Sequence, residues 1–298
     1  MNQRACLITP TYAKDLEGFR LLRRSIDRCG IDIPHLAVIH DEDLPLFRDQ
    51  DLGDGLELIS TRDVLPREIE KRRQACGFRR RDPRRWIAGK PLHGWIAQQF
   101  IKLSVPAITS AETLVFLDSD TLFLDHVDAR DFMDPLSGKP HLYESFDDVD
   151  AEMAEWVGRS MRFLGVNPTH QPVSRFTHAP AVMCRSVLLD MQRFIENRHK
   201  RKWIDAMERF GSIMEYSTYG VFAKYVDNAA RVVSTRPNLC MYYWWSEDVA
   251  RLVDTLPGRL EMSGARILLI QSNGGLKPRS YQPLLEQIWA DRRAVPAL

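Results

Sequence analysis

The chain has 298 residues, 44% hydrophobic and 27% charged, with a formal net charge of +1. That length and mix fit one large α/β domain, or a domain with a sizeable subdomain, able to bury roughly 75% of its unfolded surface without disulfide staples. The near-zero charge disfavours a nucleic-acid binder, and no apolar run approaches the about 18 residues of a membrane-spanning helix.

The first half alternates short apolar runs with helical patterns. Ala5–Ile8 reads as a strand, broken by Thr9-Pro10-Thr11-Tyr12. Phe19, Leu22 and Ile26 then recur at helical spacing. His35–Ile39 and Leu56–Ile59 read as the second and third strands, the second ending at His40-Asp41-Glu42-Asp43. Between residues 71 and 85 eight basic residues crowd a stretch with little apolar periodicity: Lys71, Arg72, Arg73, Arg79, Arg80, Arg81, Arg84 and Arg85. This predicts a basic loop, either a solvated surface, a lid, or a dock for a phosphorylated or membrane-borne acceptor. Trp95–Leu103 reads as a helix and Thr113–Leu117 as the fourth strand. The rhythm predicts a mostly parallel sheet flanked by helices, with ligands beyond the carboxyl ends of its strands.

The second half is less regular. Ala151–Leu164 and Val187–His199 look like amphipathic helices, with a short strand at Ala181–Met183. Met241-Tyr242-Tyr243-Trp244-Trp245 is an aromatic cluster, and Ile267–Ile270 is a late strand running into Gln271. The five cysteines are odd in number and widely spaced, with no C-x-x-C pair, which predicts reduced thiols in a cytoplasmic protein. The first apolar run is too short for a signal-peptide core. The basic loop is the candidate for peripheral contact with the inner membrane face.

The sharpest feature is Asp118-Ser119-Asp120, which follows five apolar strand residues and precedes Thr121-Leu122-Phe123-Leu124. Two carboxylates two residues apart in extended backbone point the same way. At a strand end such a pair suits one hard divalent cation, Mn²⁺ or Mg²⁺, completed by phosphates and water. The cation would stabilise a departing nucleoside diphosphate. The alternative is a turn whose acids cap a helix or face water.

Four segments resemble glycosyltransferases of the GT-A fold, nearest the glycogenin-like and bacterial galactosyltransferase group. They are Ile8–Tyr12 with Asp15, Gln98–Leu103, Leu114–Leu124, and Gly274-Gly275-Leu276-Lys277-Pro278. The resemblance implies a single GT-A-like domain, with residues 1–125 the nucleotide-sugar half and 126–298 the acceptor half. It implies nucleotide contacts at Thr9, Thr11, Tyr12 and Ser119. Lys102 would lie near the donor phosphates, and Lys277 is suited to a diphosphate oxygen. One departure stands out: the group's late metal-ligating histidine corresponds to Gln271, a poorer ligand than imidazole.

Further candidates are less specific. Asp15 suits either a base contact or the cap of the following helix, and Asp41 or Asp43 either the nucleoside or a turn. Glu215, opening an apparent helix, is the candidate acceptor-side base or positioner; its alternative is a helix-terminal acid favoured by the dipole. His178 is a candidate for the donor-sugar pocket. Glu144, Asp147 and Asp148 read as a solvated acidic loop. Trp244 and Trp245 suit either sugar stacking or core packing. The chain has no G-x-x-x-x-G-K-[ST], no G-x-G-x-x-G after the first strand, no G-x-S-x-G and no H-E-x-x-H.

The sequence therefore predicts a metal-dependent glycosyltransferase of hexosyltransferase type, serving polysaccharide biosynthesis. It would move a sugar, most simply from a UDP-sugar, to a saccharide, lipid-linked or other hydroxyl acceptor. A sugar-phosphate nucleotidyltransferase and a non-catalytic sugar-nucleotide-binding protein are the alternatives.

Overall fold

The computed structural model describes residues 4–77, 90–147, 149–167, 174–211, 214–236 and 239–293. The main sheet is built from β1 (Ala5–Thr11), β2 (His35–Ile39), β3 (Leu56–Ser60), β4 (Thr113–Phe116) and a later strand, β7 (Ala181–Cys184). Its order is β3-β2-β1-β4-β7, with β7 alone antiparallel to its neighbour. Successive side chains of a strand face opposite ways. Cys6 and Ile8 of β1, with Leu114 and Phe116 of β4, enter one core cluster. Ala5 and Leu7, with Val115 and Leu117, enter the other. The helix Gly94–Ser104 covers the first face with Phe100, Ile101 and Leu103. The helix Leu16–Arg28 covers the second with Phe19, Leu22 and Ile26.

A second sheet joins β5 (Thr121–Phe123), β9 (Cys240–Tyr243) and β10 (Ile267–Ile270) in the order β5-β10-β9. β5 is antiparallel to β10, and β9 is parallel to it. The aromatic segment after Met241 is thus partly strand. A two-stranded ribbon pairs β6 (His141–Tyr143) with β8 (Val233–Thr235). The helices Ala151–Leu164 and Arg185–His199 lie where the periodicity predicts them.

Two expectations are corrected. β1 does not stop at Ile8 but runs through Pro10 to Thr11. Its pairing with β4 ends at Ile8, whereas pairing with β2 continues to Thr11 opposite Ile39. Pro10 therefore lies where β1 has become an edge on the β4 side, and edges tolerate a missing N–H. The basic stretch, secondly, starts as a helix, Arg67–Ala75, and not as a loop. Arg73 is buried and paired with Glu70 and Glu42, while Arg72 holds Glu208. These arginines are consumed within the fold. Arg79, Arg80, Arg81, Arg84 and Arg85 lie outside the described residues.

The strand order reverses between β1 and β4, since β2 and β3 extend to one side and β4 and β7 to the other. Open α/β sheets bind ligands in the crevice at such a reversal, beyond the carboxyl ends of the strands. Tyr12–Asp15 and Asp118–Asp120 sit at those ends.

Candidate functional site

The acidic segment leaves β4 and turns at once into the second sheet. Ile270 donates its N–H to the Asp120 carbonyl at 3.0 Å, and Ser272 donates its N–H to Asp120 Oδ2 at 2.9 Å. Ser119 is buried and its Oγ donates to Thr11 Oγ1 at 2.8 Å, which ties the segment to the end of β1. The helix Leu16–Arg28 passes closely behind, and a Cβ placed on Gly18 would lie 2.9 Å from the Ser119 carbonyl oxygen.

The two carboxylates differ. Asp118 has a side chain 36% exposed; its Oδ1 accepts from Gln98 Nε2 at 3.3 Å and lies 3.1 Å from Lys102 Nζ. Asp120 Oδ1 is buried and has no hydrogen-bond partner. Burial first, and the charge of Asp118 second, push the Asp120 carboxyl up to about 7. Asp15 is pushed up to about 6, again by burial first and Asp118 second. An acid cluster with one buried, unpartnered oxygen attracts positive charge, because like charges raise each other's pKa and a cation relieves them. Asp118 and Asp120 thus fit a divalent cation of the oxygen-seeking kind. Among the described residues no group of three or more His, Cys, Asp or Glu could hold a metal.

Lys102 lies inside the protein, 3% exposed. Its ammonium donates to Tyr216 Oη at 2.6 Å and reaches Asp118 Oδ1 at 3.1 Å and Glu215 Oε1 at 3.3 Å. Burial acts first, to lower its pKa, but Asp118, Tyr216 and Glu215 together outweigh burial and hold it well above the ordinary lysine value. One of its donors thus goes to Tyr216, and its charge is shared between the two carboxylates. Glu215 is equally buried, and its Oε2 has no partner. Burial pushes its carboxyl up, against the opposing charge of Lys102.

The β1 end shows a similar division. Tyr12 is half-buried, its ring 5.2 Å from that of His40. Asp43 Oδ2 accepts the Ala13 N–H at 2.8 Å, whereas Asp41 is occupied by Ser60 and Arg62. Asp15 stands at the N-cap of Leu16–Arg28 but its side chain makes no capping bond there. Thr9 is fully buried, and its hydroxyl bonds His35 Nε2 at 2.9 Å. Arg23 holds the other ring nitrogen, so His35 Nε2–H donates to Thr9. Burial first and Arg23 second push His35 down to about 3, so the ring stays neutral.

From the second sheet, Gln271 follows β10 directly and donates its N–H to the Tyr243 carbonyl, while the N–H groups of its neighbours Ile270 and Ser272 bond Asp120. Lys277 is exposed on the loop beyond. Trp244 and Trp245 leave β9 on the same edge, and Trp245 is 64% exposed, so neither is core packing. His178 bonds the Arg175 carbonyl and lines a small cavity shared with Tyr216. Burial first, then Arg175, push it down to about 4. Glu144 is not a solvated acid, since it is largely buried against Lys224 at 2.8 Å; Asp147 is exposed, and Asp148 lies outside the described residues.

The structure therefore brings together Thr11, Tyr12, Asp15, Lys102, Asp118, Ser119, Asp120, Glu215 and Gln271. It leaves Thr9, Asp41 and His178 in structural bonds. Sequence reasoning missed Tyr216, Gln98 as a partner of Asp118, and the Ser272 N–H. A backbone donor has no sequence signal, and Tyr216 meets Lys102 across 114 residues.

Comparison with solved structures places the fold. The apo structure of the bifunctional glycosyltransferase WbbM is similar at 11% identity and a TM-score of 0.50, over 97% of this chain and 50% of that one. A galactosyltransferase, LgtC, solved with donor and acceptor sugar analogues, aligns at 10% identity and a TM-score of 0.48, over 98% of this chain and 97% of that one. The apo glycosyltransferase GlyE of Streptococcus pneumoniae TIGR4 aligns at 11% identity and a TM-score of 0.43, over 96% of this chain and 60% of that one. The mixed α/β architecture, with its mostly parallel helix-flanked sheet, is thus the GT-A fold. The chain spans half the length of WbbM. No curated protein matches it. The chain belongs to a family of unknown function (DUF6492), whose model matches residues 7–263.

Proposed function

We propose that this chain is a metal-dependent glycosyltransferase of hexosyl type that takes a nucleoside-diphosphate sugar, most simply a UDP-sugar. The observation that carries the reading is the unpartnered, buried Asp120 Oδ1 beside Asp118 at the strand-order reversal of a GT-A fold. Asp118 and Asp120 would hold Mn²⁺ or Mg²⁺, with Gln271 as a weak third oxygen donor. When bound, such a cation supplies Lewis-acid stabilisation of the departing diphosphate.

The chain's own residues do the rest. Tyr12 offers a ring for the base, and Thr11 and Ser119 fix the floor of the nucleotide site. Exposed Lys277 meets a phosphate oxygen. Lys102 adds positive charge beside Asp118, toward the donor phosphates, and holds Glu215. Glu215, whose Oε2 has no partner, is the acceptor-side base or positioner. Trp244 and Trp245 offer flat apolar faces to a saccharide acceptor. The whole forms one GT-A-like domain, with residues 1–125 on the donor side and 126–298 on the acceptor side.

Calorimetry with UDP-, GDP- and CMP-sugars, with and without Mn²⁺, tests the reading. The expected result is metal-dependent binding of one donor class, with slow donor hydrolysis that releases free sugar. Asp120→Ala should lower that hydrolysis by on the order of 100-fold, the scale of losing a key electrostatic contact. Undiminished turnover by the variant sinks the metal role. Pyrophosphate-dependent exchange in place of sugar release indicates a nucleotidyltransferase, and binding without turnover a non-catalytic protein.

A further inference from the structure

A second cleft, of about 500 Å³, opens at the far end of the small sheet. That volume falls within the range of about 300–1,000 Å³ typical of small-molecule sites. Asp120 precedes β5, whereas the cleft gathers residues beyond its other end and Arg266 from the start of β10. The three residues of β5 alone put about 10 Å of strand between the two places. It is therefore separate from the carboxylate site.

Two of the residues that line it, His141 and Tyr143, each carry an unsatisfied polar atom. His141 Nδ1 and Tyr143 Oη are buried and have no hydrogen-bond partner. Tyr143 as a whole is 5% exposed. They stand two residues apart on β6, so their side chains share a face, and the rings stack at 5.9 Å with 30° between planes. Each unsatisfied buried polar atom costs about 1–3 kcal/mol. A fold tolerates such a cost at a site where something else completes the bonds.

The surrounding charge says what that is. Two acids and two arginines line the cleft, and they are paired: Asp128 with Arg130 at 2.7 Å, and Asp131 with Arg266. Arg266 also donates to the His126 carbonyl at 3.0 Å. The paired charges cancel, which disfavours both a free cation and a phosphate. Met133 and Leu239 add an apolar wall. Hydroxyl groups both donate and accept, so they satisfy an imidazole nitrogen in either tautomer and a phenol. A pyranose combines such hydroxyls with an apolar C–H face.

We propose that this cleft binds a neutral polyhydroxylated ligand, a saccharide unit, held by His141 and Tyr143 and independent of the Asp118–Asp120 site. Binding is measured on the full chain by calorimetry and saturation-transfer NMR, with methyl β-D-galactopyranoside, lactose and maltotriose as probes and glucose 6-phosphate as the anionic control. At least one neutral saccharide binds. Tyr143→Phe and His141→Phe each weaken it about fivefold, the scale of one hydrogen bond of about 1 kcal/mol. Asp120→Asn leaves this binding unchanged. Tyr143→Phe removes only an unsatisfied hydroxyl, so the free variant melts no lower than the parent protein, which separates lost binding from lost folding. The proposal is overturned if none of the three saccharides binds. It is equally overturned if binding responds to Asp120→Asn and not to Tyr143→Phe, or if glucose 6-phosphate binds more tightly through the same two residues.

Discussion

Lys102 is the residue on which the site's electrostatics turn. One ammonium sits among Asp118, Glu215 and Tyr216, and both it and Glu215 are 3% exposed. Removing one partner of a buried ion pair typically costs about 3–5 kcal/mol, because the other charge is left uncompensated. Lys102→Met should therefore destabilise the protein by about that much. Glu215→Gln in the same background should recover part of the loss, since the stranded charge is then gone. Urea denaturation of the two single variants and the double variant measures the coupling. Additive losses would mean that the pair is not a unit. Little of this was legible in the sequence. Lys102 occupies a helix among Phe100, Ile101 and Leu103, which hints at burial, but its partners stand 16, 113 and 114 positions away with no periodicity to join them. Thr9 shows the reverse case: its place before a strand break suggests a ligand contact, and His35 on the neighbouring strand takes its hydroxyl.

Among the elements, the helix Leu16–Arg28 sets how closely the Asp118-Ser119-Asp120 turn can pack. Gly18 faces the Ser119 carbonyl, and an added Cβ would stand 2.9 Å from that backbone oxygen. The helix or the turn would have to move, and such overpacking costs about 1–3 kcal/mol. Gly18→Ala is expected to lower stability on that scale and to weaken cation binding, although residue 18 touches no ligand. Thermal melts alongside Mn²⁺ titration check both halves; unchanged affinity with lowered stability would confine Gly18 to packing. The elements themselves were largely legible, because β1, β2, β4 and the helices Ala151–Leu164 and Arg185–His199 carry clear periods. The basic stretch was not, since the charges of Arg72 and Arg73 mask a helix that buries only Ile69 and Ala75 as apolar contacts and pairs its arginines with Glu208, Glu42 and Glu70.

At the scale of the whole molecule, three core clusters meet around the site, two on the faces of the main sheet and one behind β5, β9 and β10. The third supports the sheet that carries Asp120, Gln271 and the exposed tryptophans. It depends on the last described helix, Pro278–Arg293, through Tyr281, Leu285 and Trp289. That helix lies beyond residues 7–263, the part the family model matches. Trp289 is buried and its Nε1–H donates to the Phe123 carbonyl at 2.9 Å, which fastens the helix to β5. Replacing a buried tryptophan by alanine costs about 3–5 kcal/mol. Trp289→Ala should therefore lower the urea midpoint, and by loosening β5 against β10 it should also weaken Mn²⁺ binding at Asp120. Trp289→Phe keeps most of the packing and loses the single hydrogen bond, so about 1 kcal/mol of stability should go while cation affinity stays near the parent value. If the two variants weaken the cation equally, the hydrogen bond to Phe123 positions the site; if neither does, the third cluster supports the fold without reaching the carboxylates.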